Sequence, residues 1–315
     1  KKHLLEWTTS EETEKQSKTD VISYYKQMII NVLFAIFIYL LYKNIFTLVL
    51  GILWIITPYI MCTISKEKEK KTQIERLNKQ EKDYVIDIAK RTWQFFDEFL
   101  NEKNNFLIPD NYQEDRKEKI VSRTSSTNIG LSLLAVISAY DLKFIDIKRC
   151  IDLLNNILTN VQTLEKWNGH LYNWYNTKTK KPLIPRYIST VDSGNFVGYL
   201  FVVKTFLGNI KIENEALEQK IDNLLLIINN MIENTDFSPL YDHEHQIFSI
   251  GFNIEDNRLT DSYYDLLASE ARQASLIAIA KKDVPVKHWK NLSRTITTLN
   301  GYSGLVSWSG TDLNI

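Results

Sequence analysis

Two long apolar runs open the chain, and beyond residue 65 apolar positions recur at helical spacing nearly to its end. Residues 45–64 are 20 consecutive positions without a charge, long enough as a helix to cross a hydrocarbon core of ~30 Å. Residues 28–42 form a run of 15 in which Asn31 is the polar position. Extended back to Val21, it takes in Lys26, whose stem can snorkel to an interface. Lys43 and Asn44 supply a minimal polar turn between the runs. Tyr24, Tyr25, Tyr42, Trp54 and Tyr59 stand near the expected interfaces, as aromatic anchors do. The pattern predicts a transmembrane helical hairpin over 21–65. A buried core helix is the competing reading, stronger for the first run than for the second. A cleavable signal peptide fits poorly, because the apolar stretch is too long and starts too late.

Lys66, Lys68, Lys70 and Lys71 follow the second run. The positive-inside tendency makes this flank cytoplasmic. A hairpin then puts residues 1–20 and everything after 65 on that side, beside the bilayer.

From there the periodicity predicts helix after helix. The first covers 66–102, with Ile74, Leu77, Tyr84, Ile86, Ile88, Ala89, Trp93, Phe96 and Leu100 set between charges. The next covers 128–140, behind a Ser/Thr cluster able to cap it. Others follow over 146–164, 192–207, 213–234, 263–281 and 286–294. Short strands are expected at 245–252 and 304–308, and no large sheet. About seven helices beyond residue 80, joined by loops alternately short and long, describe an all-α array of helical hairpins. Its long loops, 103–127, 165–191 and 235–262, would line a cleft at one end. The organisation expected is an N-terminal flank (1–20), the hairpin (21–65), a charged connecting helix (66–82) and an α/α domain (83–315).

Composition narrows the function classes. Lys and Arg number 38, against 38 Asp and Glu, which gives no global electrostatic case for nucleic acid. Gly and Pro, at 10 and 6 residues, are too sparse for a sandwich or a Gly-rich nucleotide fold. Cys62 and Cys150 are too few for a disulfide framework or a four-ligand zinc site. His243 and His245 form an isolated His-x-His without a convincing third ligand. No Walker loop, dinucleotide fingerprint or nucleophile elbow is present. No cofactor, metal or nucleic-acid partner is expected.

The candidate chemistry lies in three loops. Residues 167–175 pack four aromatics, His170 and two Asn into nine positions, with Tyr172, Trp174 and Tyr175 among them. Sugar rings stack their C–H faces on aromatic planes, and their hydroxyls need amide and carboxylate partners. The same loop can equally be an aromatic core plug. Arg186, Asp192 and Asn195 stand together where a helix opens, so Thr190 or Asp192 is either its N-cap or part of a polar wall. Arg123 and Asn128 stand in a Ser/Thr-rich stretch that either caps a helix or binds hydroxyls. On a helix over 263–281, Leu267, Ala271, Ala274 and Ala278 form a small-residue stripe that permits close packing. Glu270 falls beside the apolar face, salt-bridged or turned to a cleft, and Asp265, Ser269 and Arg272 line another face.

These segments resemble, in order, the central region of cyclic β-1,2-glucan synthases. The stretches that carry it are RTSSTNIGLSLLA (123–135), GHLYNWYNTKTKKPLIPRYISTVDSGN (169–195), YYDLLASEARQASLIAIAKKDVPVKHW (263–289) and LVSWSG (305–310). The resemblance implies a glycoamylase-like domain of (α/α)6 type behind membrane helices in a bacterial inner membrane, with the domain on the cytoplasmic side. It implies cleavage of a linear β-1,2-glucan and ring closure by transglycosylation. The implied partners are β-1,2-glucan, the bilayer and the remaining modules of a synthase. The implied substrate-facing residues are Trp174, Tyr175, Arg186, Asp192, Tyr263, Tyr264, Asp265 and Glu270. Arg123, Asn128, His170, Tyr172, Asn195, Arg272 and Trp308 join them as binding candidates. The family's paired catalytic glutamates would fall beyond Ile315, so this chain reads as a membrane hairpin with the first half of the toroid, incomplete at its C-terminus. Asp192 and Glu270 are its weak catalytic candidates. Two alternatives stay open: a non-catalytic, membrane-tethered glucan-binding or partner-completing protein, and a self-sufficient hydrolase using Asp192 and Glu270.

Overall fold

The computed structural model describes residues 20–65, 77–212, 214–267, 269–299 and 301–307, and excludes the side chains of Ser269, Glu270 and Leu299. The chain divides into two compact units, Lys1–Lys82 and Asp83–Ile315. The expected flank 1–20 lies outside the described residues except for Asp20. So does the connecting helix, up to residue 76.

The first unit holds α1 (Val21–Gln27), α2 (Ile29–Tyr42) and α3 (Ile45–Ser65). Helix α3 is the one described helix long and apolar enough by itself to cross a membrane. The first run is not one straight span: the chain breaks at Met28, and α1 and α2 meet at a bend of 64°. Met28 sits at ψ 20°, outside the helical well, and that residue interrupts the ladder. The polar pair between α2 and α3 works as expected. Lys43 takes a left-handed conformation that closes α2, and the Asn44 side chain accepts from the Thr47 amide at 2.9 Å to start α3. The helices pack through Ala35 and Gly51, where a Cβ would stand 3.5 Å from the Ala35 carbonyl oxygen. Ile30, Leu33, Phe37 and Leu40 on α2, and Phe46, Leu53 and Ile60 on α3, have no protein cover.

Helix α4 (Lys79–Phe99) begins in the last residues of the first unit, with a reciprocal capping box, and continues into the second. The Asn78 amide donates to Glu81 at 2.8 Å, and the Glu81 amide to Asn78 at 2.9 Å. Trp93, Phe99 and Leu100 bury its far end, while Tyr84, Ile86 and Ile88 stay exposed. Helices α5 (Ser126–Asp141), α6 (Ile147–Gln162), α7 (Thr190–Asn209), α8 (Glu215–Asn234), α9 (Ser269–Lys281) and the short α10 (Lys287–Asn291) follow. Ser125, Asp146, Ser189 and Asn214 cap α5, α6, α7 and α8. Neither Thr190 nor Asp192 caps α7; Asp192 sits in its first turn.

Helices α5, α7 and α9 run parallel, side by side. Asn195 of α7 bonds Thr127 of α5, and one turn on, Gly130 abuts the Tyr199 ring. Likewise Gly194 abuts Ala274, and Gly198 abuts Gln273 and Ile277. Helices α6 and α8 return on the outside: α6 packs on α5 and α8, and α8 packs on α7. The core between the layers is Leu133, Val136, Leu154, Ile157, Val197, Leu200, Leu224 and Ile228, all fully buried.

Connections at one end are short, 142–146 and 210–214. Those at the other are long, 100–125, 163–189 and 235–268, and each feeds the N-terminus of a parallel inner helix. Short antiparallel ladders stiffen them. Strand β1 (Arg123–Thr124) pairs β4 (Tyr175–Asn176), β2 (Lys166–Trp167) pairs β3 (His170–Leu171), and β6 (Tyr241–Asp242) pairs β7 (Ile247–Phe248). Strand β5 (Tyr187–Ser189) pairs β8 (Gly251–Asn253), which also pairs β9 (Arg258–Leu259) and so ties two long loops together. Strands β10 (Ile296–Leu299) and β11 (Tyr302–Leu305) close the described chain.

Helix α9 starts at Ser269, not at 263. Backbone bridges from Tyr263 to Ser249 and from Asp265 to Ser293 hold those residues in extended chain. Tyr263, Tyr264 and Asp265 are therefore loop residues, and Asp265 shares no helix face with Arg272.

Candidate functional site

The loops before α5 and α7 build a closed ring of polar contacts over the N-termini of those helices. Asp110 is its hub. One carboxylate oxygen accepts from Arg123 Nε at 3.2 Å and from its terminal nitrogen at 3.0 Å, and also from Asn111 Nδ2 at 2.9 Å. The other accepts from Asn128 Nδ2 at 3.1 Å. The guanidinium of Arg123 lies 4.4 Å over the Trp174 ring. Next to Trp174, Asn173 Nδ2 donates to Asp192 at 2.9 Å. One turn along α7, Asn195 Nδ2 reaches Thr127 Oγ1 at 3.2 Å, and Thr127 adjoins Asn128. The ring is thus closed through Asp110, Arg123, Trp174, Asn173, Asp192, Asn195, Thr127 and Asn128.

Around it stand buried polar atoms without a protein partner: Thr124 Oγ1, Ser126 Oγ, Ser193 Oγ and Asn173 Oδ1. Buried polar groups are normally bonded. Four such atoms lie together beneath the ring, beside two helix N-termini, where unsatisfied polar groups are unusual. Trp174 is half-exposed there, an indole backed by a cation.

Backbone bonds hold this ledge in place. The Asn173 amide donates to Tyr187 O at 2.7 Å, and the Leu183 amide to Trp174 O at 2.7 Å. The Asn173–Trp174 and Ile184–Pro185 peptides are cis.

Three of the aromatic-loop candidates belong to packing instead. Tyr175 is fully buried, its hydroxyl donating to Glu165 O at 2.5 Å, and burial pushes its phenol well above the usual tyrosine range. Tyr172 is buried with its hydroxyl on Glu165 at 3.3 Å. His170 is buried against Phe237, with Nε2 2.6 Å from Asp236 O, and burial lowers its pKa to about 4. Tyr175, the first residue of β4, enters the core, while Trp174 just ahead of that strand stays partly exposed.

Arg186 is a clamp rather than part of the ring. Its Nε donates to Glu255 at 3.0 Å, and another nitrogen lies 3.4 Å from Glu165, joining the aromatic loop to the β8–β9 hairpin. Tyr263 belongs to a separate cluster. Its hydroxyl donates to Asp242 at 2.6 Å, and His245 Nδ1 lies 2.8 Å from the same oxygen. The Tyr263 hydroxyl holds the Asp242 carboxyl far below the usual carboxylate range, and Asp242 in turn raises the His245 pKa. Tyr264 packs on Val191 and Ala271, Asp265 is buried, and Arg272 is exposed on α9. Trp308 and the Glu270 side chain lie outside the described residues. Among the described residues no three His, Cys, Asp or Glu side chains come together as a metal site.

Asp110, Asn173 and Thr127 escape a reading from sequence. The contact that marks Asp110 is made with Arg123 and Asn128, across a loop without periodicity.

No family model matches the chain. The cyclic beta-(1,2)-glucan synthase NdvB of Rhizobium meliloti (strain 1021) is 27% identical to it, over 82% of this chain and 13% of the relative. A candidate glucoamylase from Bacteroides fragilis superposes with a TM-score of 0.58 at 16% identity, over 78% of this chain and 58% of that one. An endo-beta-1,2-glucanase from Chitinophaga pinensis, solved with sophorotriose and glucose, gives 0.56 at 16% identity, over 71% and 55%. The chain therefore spans about an eighth of the synthase and less than two thirds of either solved structure. Its sequence is similar to a cyclic β-1,2-glucan synthase, and its helical unit has the fold of part of a glucoamylase-like (α/α)6 toroid.

Proposed function

We propose that this chain is the glucan-binding part of a membrane-bound cyclic β-1,2-glucan synthase, contributing one wall of the cleft where linear β-1,2-glucan is cleaved and cyclised. The observation that carries this reading is the closed ring at the N-termini of α5 and α7. A half-exposed indole backed by Arg123, with two carboxylates and three amides around it, suits a chain of sugar rings. The similarity to the synthase supplies the linkage. Within the site, Trp174 stacks on a sugar face, Asp192, Asn173 and Asn128 exchange hydrogen bonds with hydroxyls, and Asp110 positions Arg123 and Asn128.

Helix α3, with the α1–α2 pair as a second span, tethers the chain to a bacterial inner membrane. A cytoplasmic position for the helical unit is supported by the lysines at 66–71 in the sequence, through the positive-inside tendency.

Calorimetric titration of the full chain with linear β-1,2-glucan tests the reading. Saturable binding is expected, weakened roughly tenfold or more by Trp174→Ala and much weaker for β-1,4-linked oligosaccharides of the same length. Equal affinity for the two linkages, or a Trp174→Ala variant that binds as well as the parent, overturns it.

A further inference from the structure

A cleft of about 660 Å³ adjoins the ring on the far side of the β1–β4 ladder. It is lined by Arg116, Lys117 and Lys178, with Gln113, Asn176 and Glu118. Arg123 of the ring pairs with Asn176 across that ladder, so one wall is shared.

Three features set this cleft apart. First, Arg116, Lys117 and Lys178 make no ion pair among the described residues, although Glu114, Asp115 and Glu118 are close in sequence. Three cations against one carboxylate in one concavity repel each other, and an anion relieves that repulsion. Second, Gln113 Oε1 is buried and has no partner. Rotating the amide turns that edge into an N–H donor, the group an oxyanion needs. Third, Asn176 uses its oxygen to accept from the Lys178 and Thr179 amides at 2.9 and 3.0 Å. Its own N–H donors are left for a ligand. Cations and amide donors, with a single acceptor among the charged groups, match phosphate better than a neutral saccharide.

We propose that this cleft binds a phosphate group, free or esterified to a sugar. The inference does not rest on the glucan reading, since a neutral glucan gives these cations no partner. The test is calorimetry on the full chain in zwitterionic nanodiscs at constant ionic strength, with inorganic phosphate, glucose 6-phosphate and glucose as probes. Saturable binding of both phosphates is expected, with no comparable heat from glucose in this cleft. The combined variant Arg116→Gln, Lys117→Gln, Lys178→Gln should weaken phosphate roughly tenfold or more. Glu118→Gln should strengthen it by about twofold to fivefold, a direction that misfolding does not produce. Tighter binding of glucose 6-phosphate than of phosphate identifies a sugar ester as the ligand, and equal affinities identify the free anion. No saturable binding of either phosphate, or unchanged affinity in the combined variant, overturns the proposal.

Discussion

Asp110 accepts four hydrogen bonds from three residues, and two of those residues, Arg123 and Asn128, face the proposed ligand. Asp110→Ala leaves a guanidinium and an amide without their acceptor, which costs about 1–3 kcal/mol of stability. It should also weaken glucan binding by more than Tyr175→Phe does, because Tyr175 is a core residue. Denaturant midpoints and titration of both variants check this, and equal losses in binding contradict it. Two buried imidazoles set a pH dependence. Burial lowers His170 and His288 from 6.5 to about 4. Below 6.5 the unfolded chain takes up protons that the folded chain refuses, so the stability is present above that pH and is lost as pH falls toward 4. The melting temperature should drop across that window, and His288→Asn should make the drop shallower. His245 behaves in the opposite sense: Asp242 raises its pKa, so its contribution is present at low pH and is lost as pH rises through the raised value. Its ring resonances should titrate above free histidine and return toward it in Asp242→Asn. At this scale the sequence pointed to Arg123, Asn128, Trp174, Asp192 and Asn195, and the structure joins all five. It misplaced Tyr175, because the buried partners of its hydroxyl, Glu165 O and the Tyr172 amide, are supplied only by the folded loop. It was silent on Asp110, because the partners that define Asp110 are supplied only by the folded loop.

The helices were legible because burial on one face imposes a period, and the Ser/Thr cluster ahead of α5 does supply its cap, whereas α7 is capped by Ser189 and not by Thr190 or Asp192. Of the small-residue stripe, Ala271, Ala274 and Ala278 are buried on α9, while Leu267 falls ahead of the helix. A Cβ on Gly194 would stand 2.3 Å from Ala274 Cβ, a distance real atoms do not tolerate. Gly194→Val should therefore force α7 from α9 and destabilise the unit by about 1–3 kcal/mol, read as a lowered denaturant midpoint; an unchanged midpoint refutes the close packing. Gly169 is more constrained still. It lies at φ 80°, with an added Cβ only 2.1 Å from Asn234 O, in the turn between β2 and β3. Periodicity failed at two places for one reason. At 263–267 the pattern reads as helix, but isolated bridges to Ser249 and Ser293 hold Tyr263 and Asp265 in extended chain. In the loops at 166–189, two-residue ladders form from long-range pairing that no local window contains. The bend at Met28 has no Pro or Gly to announce it.

At the scale of the whole chain, α2 and α3 present apolar side chains that no part of their own unit covers. Burying them in a bilayer accounts for that surface. Carbonate washing should leave the chain with the membrane, and deletion of 21–65 should release it; release of the intact chain at high pH contradicts a spanning segment. In the second unit, three long loops converge on the N-terminal ends of three parallel helices, and the ring lies where two of them meet. Hydrogen–deuterium exchange of the full chain with and without linear β-1,2-glucan tests that placement most directly. Slowed exchange is predicted at 108–113, 122–128, 172–176 and 190–195. Protection confined to other segments, such as the apolar groove lined by Phe201, Phe206 and Ile210 on α7, would contradict it.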